Sequence, residues 1–175
     1  ETVLSVDTSK AEVIEAALRA GAHLVNDVRA LRMPGALAAA AARNAAVCVM
    51  HMQGEPATMQ ADPRYVDVVA EVREFLRERA KACLTAGIAG HAICIDPGIG
   101  FGKTHQHNLD LLRNLRSFAE LGYPLLIGVS RKGVVGIMSG RPASERLVAS
   151  AVAAAFAVQA GAAIIRVHDV AATVD

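Results

Sequence analysis

The strongest constraint on the fold is an alternation repeated six times: a short run of β-branched and aliphatic residues, then a longer stretch with helical spacing. Residues 2–6 read as a strand, and 10–20 as a helix with Val13, Ile14, Ala17 and Leu18 on one face and Gly21 as its stop. A second strand over 22–25 precedes an alanine-rich helix after Pro34, a residue suited to a helix start. Residues 46–50 form the third strand, and a loop over 51–63 follows. Tyr65, Val68, Val69, Val72, Phe75, Leu76, Cys83 and Leu84 then recur every three or four positions, which predicts a helix ending before Gly87. A strand over 92–95, a helix over 109–121, a strand over 124–129, a helix capped by Ser144 and running to Ala160, and a strand over 163–167 complete the pattern.

Helical crossovers of this length return the chain in the same direction, so the strands are expected to pair in parallel. Two α/β architectures satisfy that: an open doubly wound sheet or a closed (β/α) barrel. A full barrel takes ~250 residues for eight units, or ~31 each. The 175 residues present therefore hold between five and six units, in line with the six strands. This favours an incomplete barrel. No linker, low-complexity tract or composition shift divides the chain, so residues 1–175 are expected to form a single domain.

Hydrophobic residues make up 53% of the chain but aromatics only 3%, so its core must be built from small aliphatic side chains. Eighteen basic residues against 17 acidic ones offer no electrostatic case for nucleic acid or a membrane surface. Three cysteines, Cys48, Cys83 and Cys94, with no Cys-x-x-Cys pair, read as buried thiols in a reducing compartment. Apolar stretches are interrupted well before the ~18 residues that span a bilayer, so the expected setting is the cytoplasm.

Polar residues follow every apolar run: Asp7, Asn26-Asp27, Met50-His51, Asp96, Ser130-Arg131-Lys132, and Arg166 with His168 and Asp169. In parallel α/β folds the strand carboxyl ends share one face, where ligands bind. Taken singly, Asp7 or Asp27 could equally be a helix cap, and His51 a satisfied structural histidine. Together they predict a pocket with acceptors for a flat, nitrogen-rich heterocycle and cations for phosphate or carboxylate.

The segment from Asp96 to Thr104, with glycines at 98, 100 and 102, fails both nucleotide signatures: Pro97 stands where a Walker A glycine is needed, and Lys103 where the dinucleotide motif needs its third. Its glycines should let backbone approach a ligand closely, with Phe101 as an apolar plate. Metal ligation has little support, since His105 and His107 lack a companion ligand and read as solvated loop residues.

In order along the chain, Ser5-Val-Asp-Thr-Ser-Lys10, Asn26-Asp-Val28, Val49-Met-His-Met-Gln-Gly54, Asp96-Pro-Gly-Ile-Gly-Phe-Gly-Lys103, Gly128-Val-Ser-Arg-Lys132, Ser144-Glu-Arg-Leu147 and Arg166-Val-His-Asp-Val170 resemble the motifs of the dihydropteroate synthase family. That resemblance implies a TIM-barrel transferase of folate biosynthesis and a sulfonamide target. It would condense 6-hydroxymethyl-7,8-dihydropterin pyrophosphate with p-aminobenzoate, assisted by Mg2+. By position, Asp7, Asn26, Met50, Asp96, Gly128 and Lys132 resemble the pterin-binding groups. Arg166 and His168 resemble the pyrophosphate-binding pair, and Phe101, Ser130 and Arg131 the p-aminobenzoate side. Asp7, Lys132 and Arg166 would carry the catalytic roles. The family's first two strands, with the Asn that ligates the metal, and the remainder of its last helix have no counterpart here. The chain thus reads as truncated at both ends, with exposed sheet edges. The family further implies a homodimer through helices near the end of the barrel. Competing expectations are a pterin-binding methyltransferase domain and an inactive pterin-binding fragment.

Overall fold

The computed structural model describes residues 2–175. Strands β1 (Ser5–Asp7), β2 (Leu24–Asp27), β3 (Ala46–Met50), β4 (Ile93–Asp96), β5 (Leu125–Ile127) and β6 (Ala162–Ile165) form one sheet in sequential order, every pair parallel. Helices α1 (Ala11–Arg19), α2 (Ala36–Ala41), α3 (Val68–Thr85), α4 (His105–Arg113), α5 (Leu115–Ala119), α6 (Gly133–Ser139) and α7 (Leu147–Gln159) connect them, and α8 (Val170–Val174) follows β6. The strand order never reverses, as it would in a doubly wound sheet. Curvature is equally evident. A flat sheet would set β1 and β6 five spacings, or ~24 Å, apart, yet Arg166 just beyond β6 reaches the Asp7 carboxylate at the end of β1, 3.6 Å away. The molecule is an incomplete (β/α) barrel, as expected. No helix of the described residues is long and apolar enough to cross a membrane.

Strand parity divides the residues between two cores. Val25, Val47, Val49, Ile93, Ile95, Leu125 and Ile127 point outward and pack in the main core with Ile14 of α1, Val72 and Leu76 of α3, Leu111 of α4 and Phe118 of α5. The opposite parity places Cys48, Cys94 and Leu126 in a small inner cluster backed by Leu24. Above that floor, on the same inner parity, come Asp7, Asn26, Met50 and Asp96, then Gly128 and Arg166 just past their strands. All three cysteines are free and buried.

Some expected elements differ. The helix expected over 109–121 starts earlier and breaks into α4 and α5 at Asn114, whose side-chain Nδ2 donates to the Asp110 carbonyl. His105 and His107 open α4 instead of lying in a loop. His107 and Thr104 cap each other's backbone, with Thr104 Oγ1 accepting from the His107 N–H at 3.1 Å and His107 Nδ1 accepting from the Thr104 N–H at 3.2 Å. Ser144 does not cap α7: it sits in a short 3-10 turn, Ala143–Glu145, and Arg146 precedes the helix. Helix α6 was hidden by its glycines.

Candidate active site

The inner rim is a continuous polar arrangement. Asn26 donates through Nδ2 to Asp7 Oδ2 at 2.8 Å, and the Asp7 carboxylate also faces Arg166. The second Arg166 nitrogen lies 4.0 Å from Asp96 Oδ2, so one guanidinium stands between carboxylates from β1 and β4. Asp96 is fully buried and its Oδ1 accepts from the Gly98 N–H at 2.7 Å. Burial pushes its pKa up, against the opposing pull of Lys132, the Gly98 hydrogen bond, Arg166 and Lys103. Among the described residues Asn26 Oδ1 is buried without a hydrogen-bond partner.

Asp27 illustrates the other outcome. Its parity turns it to the helix side, where it accepts from Ser9 Oγ and, at 2.8 Å each, from the Arg29 and Leu31 N–H groups. It organises the turn after β2 and does not line the pocket. His51, also of outer parity, is a satisfied structural histidine. Its Nδ1 meets Lys103 Nζ at 3.0 Å and its ring packs edge-on to Phe75. Burial, with Lys103 and Arg32 nearby, lowers its pKa to about 3. Met50 is fully covered, on the inner parity beside its register partner Asp96.

Lys132 crosses the site. Its Nζ donates to the Ile99 carbonyl at 2.6 Å and lies 4.8 Å from the Phe101 ring centroid. Burial lowers its pKa to about 8, against the pull of Asp96. Gly128 leaves room for Arg166, whose Nε would stand 3.2 Å from any added Cβ. Gly128, Ser130, Lys132, Arg166, Val167 and His168 line a cavity of about 340 Å³. Ser130 Oγ accepts from the His168 N–H at 3.2 Å and lies 3.0 Å from its Nδ1. Arg131, in a left-handed conformation (φ 58°), pairs with Asp169 at the outer edge. Arg146, whose role the sequence did not disclose, holds that turn by donating to the carbonyls of Arg131 (2.9 Å) and Lys132 (3.3 Å).

The glycine-rich loop departs from expectation in what its glycines approach. Gly98 (φ 68°) and Gly102 (φ 61°) press against the carbonyls of His51 and Gln53, so a Cβ at either position would collide with the backbone after β3. They bring loop to loop, leaving Phe101 to face Lys132. Lys103, which sequence reasoning did not place in the site, is 3% exposed and bonded to carbonyls of this loop. Among the described residues no three His, Cys, Asp or Glu side chains gather closely enough to hold a metal ion. Asp7, the exposed carboxylate at the rim, is engaged by Asn26 and Arg166. The residues present do not fit a magnesium site on their own.

Fold and site together define an incomplete barrel whose inner rim presents a buried carboxylate, an amide acceptor without a partner among the described residues and converging cations at the strand carboxyl ends. The family model described as "Pterin binding enzyme" matches residues 1–168, and the chain belongs to that family. It is 51% identical to the dihydropteroate synthase of Haemophilus influenzae over 172 residues, 98% of this chain and 62% of that protein. The dihydropteroate synthase of Stenotrophomonas maltophilia, solved with active site-bound imidazole, superposes with a TM-score of 0.96 at 55% identity, covering 99% of this chain and 66% of that one. That of Xanthomonas albilineans in complex with 7,8-dihydropteroate gives 0.91 at 50% identity, covering 99% and 63%. The chain thus spans somewhat under two thirds of the length of these relatives.

Proposed function

We propose that the full-length protein carrying this chain is a transferase that joins 6-hydroxymethyl-7,8-dihydropterin pyrophosphate to p-aminobenzoate, giving 7,8-dihydropteroate and pyrophosphate. The observation that carries this reading is the pair formed by fully buried Asp96 and the unpartnered Asn26 Oδ1. Both are acceptors on the inner parity, and a pterin edge offers N–H donors to Asn26 Oδ1 and to the Asp96 oxygen that Gly98 does not engage. A carboxylate that accepts two parallel N–H bonds discriminates strongly against heterocycles without them. The relatives named above, about half identical, favour the synthase over a methyltransferase.

In this reading Asp96 and Asn26 pin the heterocycle against Met50 and Gly128, and Lys132 meets its ring oxygen. Arg166 and His168 take up the negative charge that gathers on pyrophosphate as its bond to the pterin methylene breaks. Asp7 stabilises the positive charge left on that carbon. The arylamine nitrogen then forms the new C–N bond and releases a proton. Phe101, Ser130 and Arg131 would hold the arylamine in line, so that proximity supplies much of the rate. Mg2+ belongs to the same reading as an assisting ion, without a site formed by this chain alone and with no step assigned to it.

The same reading makes the protein cytoplasmic and homodimeric. The dimer is supported by a bare apolar face on α7, where Val148, Val152 and Phe156 flank a groove of about 610 Å³ shared with Met138 of α6. Sedimentation of the full-length protein tests it, a monomer at micromolar concentration being the contrary result. The activity itself is tested by incubating that protein with pterin pyrophosphate, p-aminobenzoate and Mg2+. Release of pyrophosphate with dihydropteroate supports it, and no product from folded protein defeats it.

A further inference from the structure

Five consecutive carbonyls of the loop between β4 and α4 are each received by a side chain. Gly98 O accepts from Lys103 Nζ at 3.0 Å, Ile99 O from Lys132 Nζ at 2.6 Å, Gly100 O from Gln60 Nε2, Phe101 O from Lys103 Nζ at 2.9 Å, and Gly102 O from Tyr65 Oη at 2.8 Å. The Gly100 N–H adds a bond to buried Asn108 Oδ1 at 2.6 Å. The carbonyls of a stretch with neither helix nor sheet are thereby received as they would be in regular structure. Lys103 is the centre of this arrangement. Besides its two loop carbonyls it approaches the His51 carbonyl at 3.3 Å and His51 Nδ1 at 3.0 Å, so it fastens the loop after β4 to the segment after β3.

We propose that Lys103 is a positioning residue that sets the arylamine-side wall of the pocket, by fixing the Phe101 backbone at the height where its ring meets Lys132. This deepens the synthase reading and rests on it. A buried ammonium is costly, and hydrophobic residues would pack there without that cost. Among the described residues no carboxylate is in hydrogen-bonding contact with Lys103, and its acceptors are carbonyls and an imidazole nitrogen. Burial accordingly lowers its pKa to about 7, with Asp96 opposing and Lys132 reinforcing the shift. What the ammonium supplies is geometry. It is the donor that holds both Gly98, beside Asp96, and Phe101, beside Lys132. The Asp96 end of the loop has a second anchor in the Gly98 N–H bond to the Asp96 carboxylate. Among the described residues the Phe101 carbonyl is received by Lys103 alone, and the Phe101 N–H donates at 3.1 Å only to the Gly98 carbonyl of the same loop, which Lys103 also holds. Loss of the ammonium should therefore loosen the Phe101 side more than the Asp96 side.

The test is Lys103→Met in the full-length protein, with Lys103→Gln as a second variant that keeps N–H donors without charge. Kinetics are paired with calorimetric binding of the pterin pyrophosphate. The expected result is a KM for p-aminobenzoate raised at least tenfold in Lys103→Met and less in Lys103→Gln. Pterin affinity should stay within threefold and kcat within about threefold. If Lys103→Met does not fold, the same split in Lys103→Gln decides. Unchanged KM, parallel losses of both ligands, or failure of both variants to fold would overturn the proposal. An inactive wild-type protein would instead defeat the synthase reading, so the two failures are distinguishable.

Discussion

The Arg166 guanidinium, just beyond the last strand of the sheet, stands 3.6 Å from the Asp7 carboxylate of the first and 4.0 Å from that of Asp96 in the fourth. Only a curled sheet allows one cation to serve all three strands. Both partners of the Arg166–Asp7 pair are substantially exposed, so the pair itself should contribute no more than ~1 kcal/mol to folding. Its consequence lies in binding. Arg166→Met should leave the melting temperature nearly unchanged and weaken a pterin pyrophosphate ester about ten- to hundredfold, the scale of one or more charged hydrogen bonds. Bare pterin should lose far less in the same titration, and equal losses would contradict the assignment.

Asp96→Asn separates stability from affinity. The side chain keeps its volume and its acceptor for Gly98, while the buried charge is removed. Because burial raises the Asp96 pKa, folding should be unaffected or slightly favoured in the variant. Pterin should bind ~10- to 100-fold more weakly, since one of two parallel N–H bonds is lost. Denaturant titration and calorimetry on the same sample would show both signs.

Lys132 gives the site a pH limit. Its pKa, lowered to about 8 by burial, means that the cation is lost as pH rises through 8 in the free protein. Affinity for the pterin pyrophosphate is therefore expected to decline above pH 8. Lys132→Arg, which stays charged, should bind with a flatter profile over pH 7–9. An identical alkaline decline in both would place the titrating group elsewhere.

His51 affects stability at the acid end. Its pKa is about 3 when folded against 6.5 as an ordinary histidine, so between these values the unfolded chain binds more protons than the folded one. Stability from this group is complete above about pH 6.5 and falls as pH drops towards 3. Urea denaturation of wild type and His51→Gln should show the gap between them changing through that window, wild type losing ground as pH falls. A constant gap would mean that His51 is not buried neutral.

Gly98→Ala tests the loop contact. A left-handed φ of 68° costs an alanine ~1–2 kcal/mol, and its Cβ would also strike the His51 carbonyl. A loss of more than about 2 kcal/mol in denaturation is expected, with weaker pterin binding because Asp96 accepts from the Gly98 N–H.

Much of this was legible from residue order. The six strands followed from β-branched runs, and the rim from the polar residues ending them, because parallel strands bring those ends to one face. Asn26 and Asp27 show what was less clear: adjacent and chemically alike, they part company by strand parity, Asn26 inward with Asp7 and Asp27 outward as a turn former. Parity could have been read from Val25 and Val47, had the outer core been anticipated. Lys103 was not recoverable, since a lysine after glycines looks solvated until the segment after β3 closes over it. Helix α6 was masked by Gly133, Gly136 and Gly140, which argue locally against a helix that tertiary contacts stabilise.

A crystal structure of the full-length protein with a 6-substituted pterin tests the central claim most directly. The account predicts the heterocycle on the inner rim, its N–H edge on Asp96 and Asn26 Oδ1 and its ring oxygen at Lys132, with the 6-substituent directed towards Arg166 and His168. A pterin seated elsewhere, with Asn26 Oδ1 still unpartnered, would contradict it.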